Sequence, residues 1–344
     1  MQIEALWNGL EADAGAGKTA SNGWLLRLAR PDATCSLFLG LELVSRRRAI
    51  LIRIPSRSVP SRRLWPRCKG LEPLVLAVEG DSHFGVALKE PRFADVFTAL
   101  AEDLARRVAE ADDADAQARA FLGQLARWQK FLSASFEGLG EEAQRGLWGE
   151  LHFLREHLLP TIGPAGVKNW KGGERAHQDF QFETTALEVK TTLAKQPQVV
   201  RVTSERQLAA TTWPALFLNV ISLDVGDGSG ETLPAMVSSI RARLLGDATA
   251  QEQFEDELLV AGYLDSQAAR YIERGYKVRS VLFFRVGPKF PSLVEADMPP
   301  GVGDVNYALS VAACQPFLVG AAETTDVLKE DFARQPGSKR TGQQ

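Results

Sequence analysis

The sequence predicts an α/β protein: a mixed sheet flanked by helices, preceded by a β-rich N-terminal module. Three observations carry this expectation. Five short strand-like runs, separated by Pro, Gly, Asp and Ser clusters, fall within the first 90 residues. Apolar residues then recur at helical spacing from Arg92 to Leu132 and from Glu141 to Leu159. Beyond these, strand-like and helical segments alternate as they do in α/β cores.

Taken in order, Ile3 to Leu10 reads as a helix, and the strands are expected at Trp24 to Leu28, Ser36 to Leu41, Ala49 to Ile54, Leu74 to Glu79 and Phe84 to Leu88. The helical stretch from Arg92 breaks near the acidic Glu110-Ala111-Asp112-Asp113 run and is expected to bridge to the core. In the next helix Leu147, Trp148, Leu151, Leu154 and Leu158 form one stripe, and Pro160 is expected to end it. Gln198 to Val202 reads as a strand, and Ser204 to Leu208 as the start of a helix capped by Thr203 or Ser204. Ala215 to Leu223, Tyr276 to Val286 and Val305 to Ala312 are further strands, with helices at Pro234 to Leu245 and Glu252 to Ala261. The expected division is residues 1–90 as the β-rich module, 91–135 as a helical connector, 136–325 as the core and 326–344 as a polar tail, disordered from Arg334 to Arg340.

Composition narrows the function classes. Hydrophobic content of 45% and charged content of 24% are those of an ordinary globular protein. No apolar run approaches the ~20 residues that cross a bilayer, and the Met1-Gln2-Ile3-Glu4 start lacks the pattern of a secretory leader. A cytoplasmic protein with no membrane partner is expected. Cys35, Cys68 and Cys314 are scattered, and His83, His152, His157 and His177 lack paired spacing, which argues against structural zinc and a disulfide framework. Ala14-Gly15-Ala16-Gly17-Lys18-Thr19 ends like a phosphate-binding loop, but it lacks the leading glycine and follows a helix, so a plain Gly/Ala loop is expected. The net charge is −3, yet between Glu42 and Glu72 there is no acidic residue while Arg46, Arg47, Arg48, Arg53, Arg57, Arg62, Arg63, Arg67 and Lys69 accumulate. That stretch is either a phosphate-contacting face or a solvated rim.

Chemistry is concentrated in Asp179 to Lys190, which reads D-F-Q-F-E-T-T-A-L-E-V-K. Alternation in Ala186-Leu187-Glu188-Val189-Lys190 sends Glu188 and Lys190 to one face of a strand and Leu187 and Val189 to the core. Asp179, Gln181 and Glu183 alternate with Phe180 and Phe182, and a turn at Thr184-Thr185 would set Gln181 opposite Glu188 with Asp179 as its diagonal neighbour. Two carboxylates with the Val189 main-chain carbonyl make a hard oxygen site suited to Mg2+, whose natural substrate is a phosphodiester, and Lys190 adds positive charge beside it. Glu188-Val189-Lys190 is the only acidic-x-Lys tripeptide in the chain. Glu150 borders the apolar stripe of its helix, where a carboxylate is costly unless it meets a cation. An exposed hairpin with a surface ion pair, and a solvated Glu150, are the plain alternatives.

These residues resemble the PD-(D/E)XK nuclease superfamily, and more narrowly the bacterial proteins called PD-(D/E)XK motif protein, found among phage-defence genes. The likeness runs from Gly146 to Leu208, where G-L-W-G-E-L-H-F-L precedes Asp179, Glu188 and Lys190, and V-T-S-E-R-Q-L follows. Gln178 stands where the superfamily often has proline. The resemblance implies a restriction-endonuclease-like fold in which Asp179, Glu188, Glu150 and the Val189 carbonyl hold Mg2+, or Mn2+ in its place, with Lys190 as the catalytic lysine. It implies Mg2+-dependent cleavage of DNA in a phage-defence or restriction system. The implied partners are DNA and other defence proteins, including an ATPase, with a homodimer left open. His177, Ser204 and Gln207 are substrate-binding candidates. The competing class is a nucleic-acid-binding or scaffold subunit with little turnover.

Overall fold

In the computed structural model the described residues are 3–335, apart from 21, 30–35, 69, 79–80, 135–137, 173–175 and 300. The chain forms two compact units, Met1–Glu137 and Gly138–Gln344.

In the first unit, helix α1 (Ile3–Gly15) precedes strands β1 (Trp24–Leu28), β2 (Leu37–Glu42), β3 (Arg48–Pro55), β4 (Leu71–Val78) and β5 (Asp81–Leu88). The sheet is antiparallel in the order β1-β2-β3-β5-β4. All five expected strands are present. Helix α1 runs on to Gly15, so the Gly/Ala loop follows a helix and opens none, unlike a phosphate-binding loop. Helices α2 (Ala94–Ala109) and α3 (Ala114–Ala134) break where the acidic run predicts. They pack within this unit: Phe97 lies on Trp7 with ring centroids 5.6 Å apart, and Phe121 on Phe84 at 5.2 Å. Their apolar stripes need a partner surface, and this sheet supplies it.

The basic stretch is only partly free. Arg48 is buried between Glu4 (2.8 Å) and Glu11 (3.0 Å), Arg47 reaches Glu42 (2.7 Å) and Glu72 (2.5 Å), and Arg53 pairs with Asp81 (3.7 Å). Carboxylates, most of them distant in sequence, therefore neutralise Arg47, Arg48 and Arg53. Lys69 lies outside the described residues.

The second unit opens with α4 (Glu141–Phe153), which continues through a π-helical turn at Leu154–Leu158 into α5 (Leu159–Ile162). Pro160 does not end the helix. The wider turn just before it accommodates a residue that cannot donate to the helical ladder, and the chain leaves at Gly163 with φ 85°. Leu147, Leu151, Leu154 and Leu158 are essentially buried, each contributing about 1.5–3 kcal/mol relative to exposure. Strands β6 (Phe180–Gln181), β7 (Thr185–Thr192), β8 (Val199–Val202), β9 (Ala215–Asp227) and β10 (Glu231–Thr232) follow, then helices α6 (Leu233–Arg243) and α7 (Ala248–Val260). The chain continues through β11 (Arg274–Val286), β12 (Tyr307–Ser310), β13 (Leu318–Val319) and α8 (Ala321–Arg334). The main sheet runs β10-β11-β9-β7-β6, with β13 on β11; β7 and β9 are parallel and the other pairs antiparallel. Strands β8 and β12 form a separate ribbon. Leu187 and Val189 face one core with Phe217, Ile221 and the α4 leucines, while Ala186 faces a second with Val200, Val202 and Leu309. The mixed α/β class expected from the sequence is what the molecule has.

Several local expectations are corrected. Strand β6 is two residues long, and its register sets Phe180 against Leu187 and Gln181 against Ala186, not against Glu188. The turn is at Glu183-Thr184, closed by Phe182 N–H on Thr185 O (2.8 Å), and Asp331 of α8 accepts from Thr184 N–H at 2.9 Å. A distant carboxylate thus holds a turn that the local sequence left ambiguous. The stretch expected to open a helix at Ser204 is a turn, because the Gln178 amide donates to Arg206 O (2.9 Å) and Gln207 O (3.2 Å), carbonyls a continuing helix would need. The polar tail expected from 326 is helical to Arg334, with Leu328 and Asp331 buried; residues 336–344 lie outside the described residues. Strand β12 covers only Tyr307–Ser310 of the predicted stretch. Among the described residues no helix is long and apolar enough to cross a membrane, and Cys68 and Cys314 are free thiols.

Candidate active site

Strand β7 carries the site because its partner stops early. The pairing of β6 ends at Phe180, leaving the β7 edge open from Glu188 onward. Carrying the register one residue further sets Asp179 against Glu188. In place of a ladder bond, Asp179 Oδ2 accepts the Val189 N–H at 2.7 Å. An extended residue sends its N–H and C=O to the same side of the strand, so the Val189 carbonyl faces that edge with Asp179.

On the face shared with Ala186, Glu188 is 1% exposed, and its Oε1 stands 2.6 Å from Lys190 Nζ. The sequence pattern suggested a polar outer face here. Because β7 is sandwiched between two cores, the carboxylate is buried instead. Among the described residues the Glu188 carboxylate meets the Lys190 ammonium and the Asp179 main-chain N–H, and no side-chain donor besides the lysine.

The third carboxylate comes from α4. Glu150 Oε2 accepts the Trp170 indole N–H at 2.9 Å, and Trp170 itself is fully buried. Helix α4 lies close to β7 because Gly149 has no side chain: a Cβ there would stand 2.3 Å from Thr191 Cγ2. Thr191 cannot easily yield, since its hydroxyl accepts from Arg145 Nε at 3.3 Å. Gly149→Ala is therefore expected to destabilise the protein by about 1–2 kcal/mol, the overpacking cost exceeding the ~1 kcal/mol that alanine otherwise gains over glycine in a helix. Thermal melting checks this, with a higher melting temperature counting against the close-approach argument.

Electrostatics follow from burial. Burial, then the Asp179 charge, pushes Glu188 up to about 8 despite Lys190. Burial and Asp179 likewise hold Glu150 well above the usual carboxylate range, against the Trp170 hydrogen bond. Asp179 is raised by burial, with Lys190 and the Val189 N–H opposing. Burial works against the Lys190 ammonium, but Glu188 and Asp179 overcome it and hold its pKa above the ordinary lysine value. Burial and mutual repulsion thus favour proton retention in this carboxyl cluster, and a divalent cation would compete with those protons.

These groups line a cleft of about 720 Å³, with Glu150, Asp179, Glu188, Val189 and Lys190 at its floor and Gln207 on its wall. The expected set is brought together except for His177 and Ser204. His177 is exposed on a bend before β6 rather than on a strand, and Ser204 Oγ accepts from Arg206 N–H (3.2 Å), neither being among the cleft-lining residues. The Gln207 side chain accepts from Thr203 N–H (2.9 Å) and Thr203 Oγ1 (3.2 Å), which ties it to the wall. Sequence reading missed Arg145, Arg201 and Tyr307, all lining the cleft. Arg145 lies five residues before Glu150 on α4; Arg201 and Tyr307 arrive from the β8–β12 ribbon, whose pairing has no local signal. It also missed the reason for Gln178: this buried amide clamps the Gln207 turn and accepts from Trp213 Nε1 (3.1 Å), tying the residue before Asp179 to the opposite wall.

Among the described residues no group of three or more His, Cys, Asp or Glu is arranged to hold a metal ion. The donor set nevertheless fits a hard cation: the buried Glu188 carboxylate, the Asp179 carboxylate beside it, and a main-chain carbonyl on the same edge. Mg2+ needs only one or two protein carboxylates because it retains water.

No curated protein and no solved structure matches the chain. A family model described as "Putative PD-(D/E)XK family member, (DUF4420)" matches residues 3–312, nearly the whole chain and every residue that lines the cleft. With Asp179, Glu188 and Lys190 standing at one open strand edge inside that span, the chain belongs to this PD-(D/E)XK family.

Proposed function

We propose that the protein is a Mg2+-dependent endonuclease that hydrolyses DNA phosphodiester bonds in a phage-defence or restriction setting. The observation that carries the reading is the convergence of Asp179, Glu188, Lys190 and Glu150 on one cleft, where burial raises the pKa of all three carboxyl groups. Asp179, Glu188 and the Val189 carbonyl would hold the cation, with Glu150 as a further carboxylate. The cation would offset charge on the phosphoryl oxygens and lower the pKa of water. Mn2+ suits the same oxygen donors.

Lys190 stays protonated through neutral pH and presents its ammonium beside Glu188, where it can donate to a phosphoryl oxygen or orient the attacking water. Arg145, pinned on Thr191, and the exposed Arg201 supply positive charge along the walls for flanking phosphates, and Gln207 offers its remaining amide group. His177 and Ser204, outside the lining, would reach only an extended substrate. The resemblance to phage-defence proteins also supports a cytoplasmic setting and assembly with other proteins, including an ATPase or a second copy.

The test is cleavage of supercoiled plasmid by the purified protein in Mg2+ and in EDTA, alongside Mg2+ and Mn2+ titration of tryptophan fluorescence, since Trp170 touches Glu150. Metal-dependent nicking and a saturable fluorescence change lost in Asp179→Asn are expected. Absence of both would overturn the reading, whereas saturable metal binding with no nicking would favour a nucleic-acid-binding subunit with little turnover.

A further inference from the structure

We propose that the segment joining β3 to β4 in the N-terminal unit is a nucleic-acid backbone platform, with Arg57, Arg62, Arg63 and Arg67 as its phosphate-binding groups. The choice of a polyanion as its partner rests on the nuclease reading. The platform itself rests on separate observations.

The segment is rigidly seated while its charges are left outside. Trp65 is 6% exposed, packs edge-on against Phe84 with ring centroids 5.3 Å apart, and donates its indole N–H to Pro60 O at 3.1 Å. Short 3₁₀ turns at Ser56–Ser58 and Arg62–Leu64 stiffen the path, and Gln129 of α3 donates to Arg67 O at 3.1 Å. All four arginines are exposed, and among the described residues none of their guanidinium groups has an ion-pair partner. This separates them from Arg47, Arg48 and Arg53, which carboxylates already neutralise. Four unpaired cations held on a stiff frame lose little side-chain and backbone freedom beyond their own rotamers when they meet an anionic lattice. Leu64, 68% exposed between Arg63 and Trp65, gives the platform one apolar surface for sugar or base.

The distribution of charge shows why such a platform is needed. Residues 1–137 carry 19 Lys and Arg against 17 Asp and Glu, a net +2, whereas residues 138–344 carry 21 against 26, a net −5. The unit with the carboxylate cleft therefore repels a polyanion at long range, and capture falls to the other unit. An acidic protein segment offers irregular carboxylates, whereas a nucleic-acid backbone offers the regular array that guanidinium groups bind bidentately.

The experiment is equilibrium binding of fluorescein-labelled duplex DNA, and of a matched RNA duplex, to the full chain in EDTA across a salt series. The variant carrying Arg57→Ala, Arg62→Ala, Arg63→Ala and Arg67→Ala should bind at least about tenfold more weakly, with a log Kd against log salt slope shallower by roughly 0.9 for each phosphate no longer neutralised. The corresponding Arg→Lys variant should retain most of the slope. Because the four side chains are exposed, both should melt with the wild type, and the Arg→Lys variant keeps the test readable if the alanine variant does not fold. Preference between DNA and RNA identifies the backbone. Unchanged affinity and slope in the alanine variant overturn the proposal and leave an acidic protein as the alternative occupant. Since binding is read without metal, failure of the cleavage reading and failure of this one are separate outcomes.

Discussion

Lys190→Ala is expected to lower the rate of phosphodiester cleavage by about 10²- to 10³-fold while changing nucleic-acid affinity by less than about threefold. The ammonium is mostly buried, stands 2.6 Å from Glu188 Oε1, and is held charged by Glu188 and Asp179. Its contribution is therefore to charge that develops at the floor of the cleft rather than to capture of substrate at the walls. Removing it also takes from Glu188 the ammonium it pairs with, so metal affinity should change as well. Lys190→Arg separates these effects: it restores charge but substitutes a planar fork for a compact donor, and should recover metal response without full turnover. Single-turnover cleavage at saturating protein measures the chemical step directly. A Lys190→Ala enzyme within about threefold of wild type would remove the lysine from the chemistry.

Glu150→Gln should have opposite effects on stability and activity. In the metal-free protein Glu150 and Glu188 have folded-state pKa values raised by burial, Glu188 to about 8. The folded state then holds more protons than the unfolded state from about pH 4.5, where free glutamate titrates, up to the folded values. Stability of the metal-free protein should accordingly fall as pH rises through this window and level off above it, near pH 8 for Glu188. Glu150→Gln takes away a group that repels Asp179 and Glu188 once it ionises, yet keeps an oxygen to accept the Trp170 N–H.

The variant is expected to be more stable than wild type by about 0.5–2 kcal/mol at pH 8 in EDTA, with the difference shrinking toward pH 5 as the lower edge of the window is approached. Added Mg2+ should raise the wild-type melting temperature more than the variant's, and cleavage should fall with the lost carboxylate. Melting curves from about pH 5 to 9, with and without Mg2+, decide the matter. A variant less stable than wild type at every pH would mean that Glu150 is structural and not a repelled member of a metal site.

The sequence alone determined the kinds of elements and the chemical identities. The strands of the N-terminal unit, the helices α2 and α3 with their acidic break, the α4 stripe and the long β9 and β11 strands all have periodic or continuous apolar runs that a local pattern records. Asp179, Glu188 and Lys190 were legible because a strand alternates and because acidic residues flanked by apolar ones are expensive unless used. Tertiary structure alone decided how these groups meet. The two-residue shift in the β6–β7 register came from a turn held by Asp331, 147 residues away; the missing helix at Ser204 came from the Gln178 amide; and helix α8 was read as tail. Burial of Glu188 on a face that reads as polar required the β8–β12 ribbon, and the close approach of Glu150 required Gly149 beneath Thr191. Local periodicity reports which residues avoid water, but which distant backbone donor or carboxylate satisfies a given turn is settled only when the chain is packed.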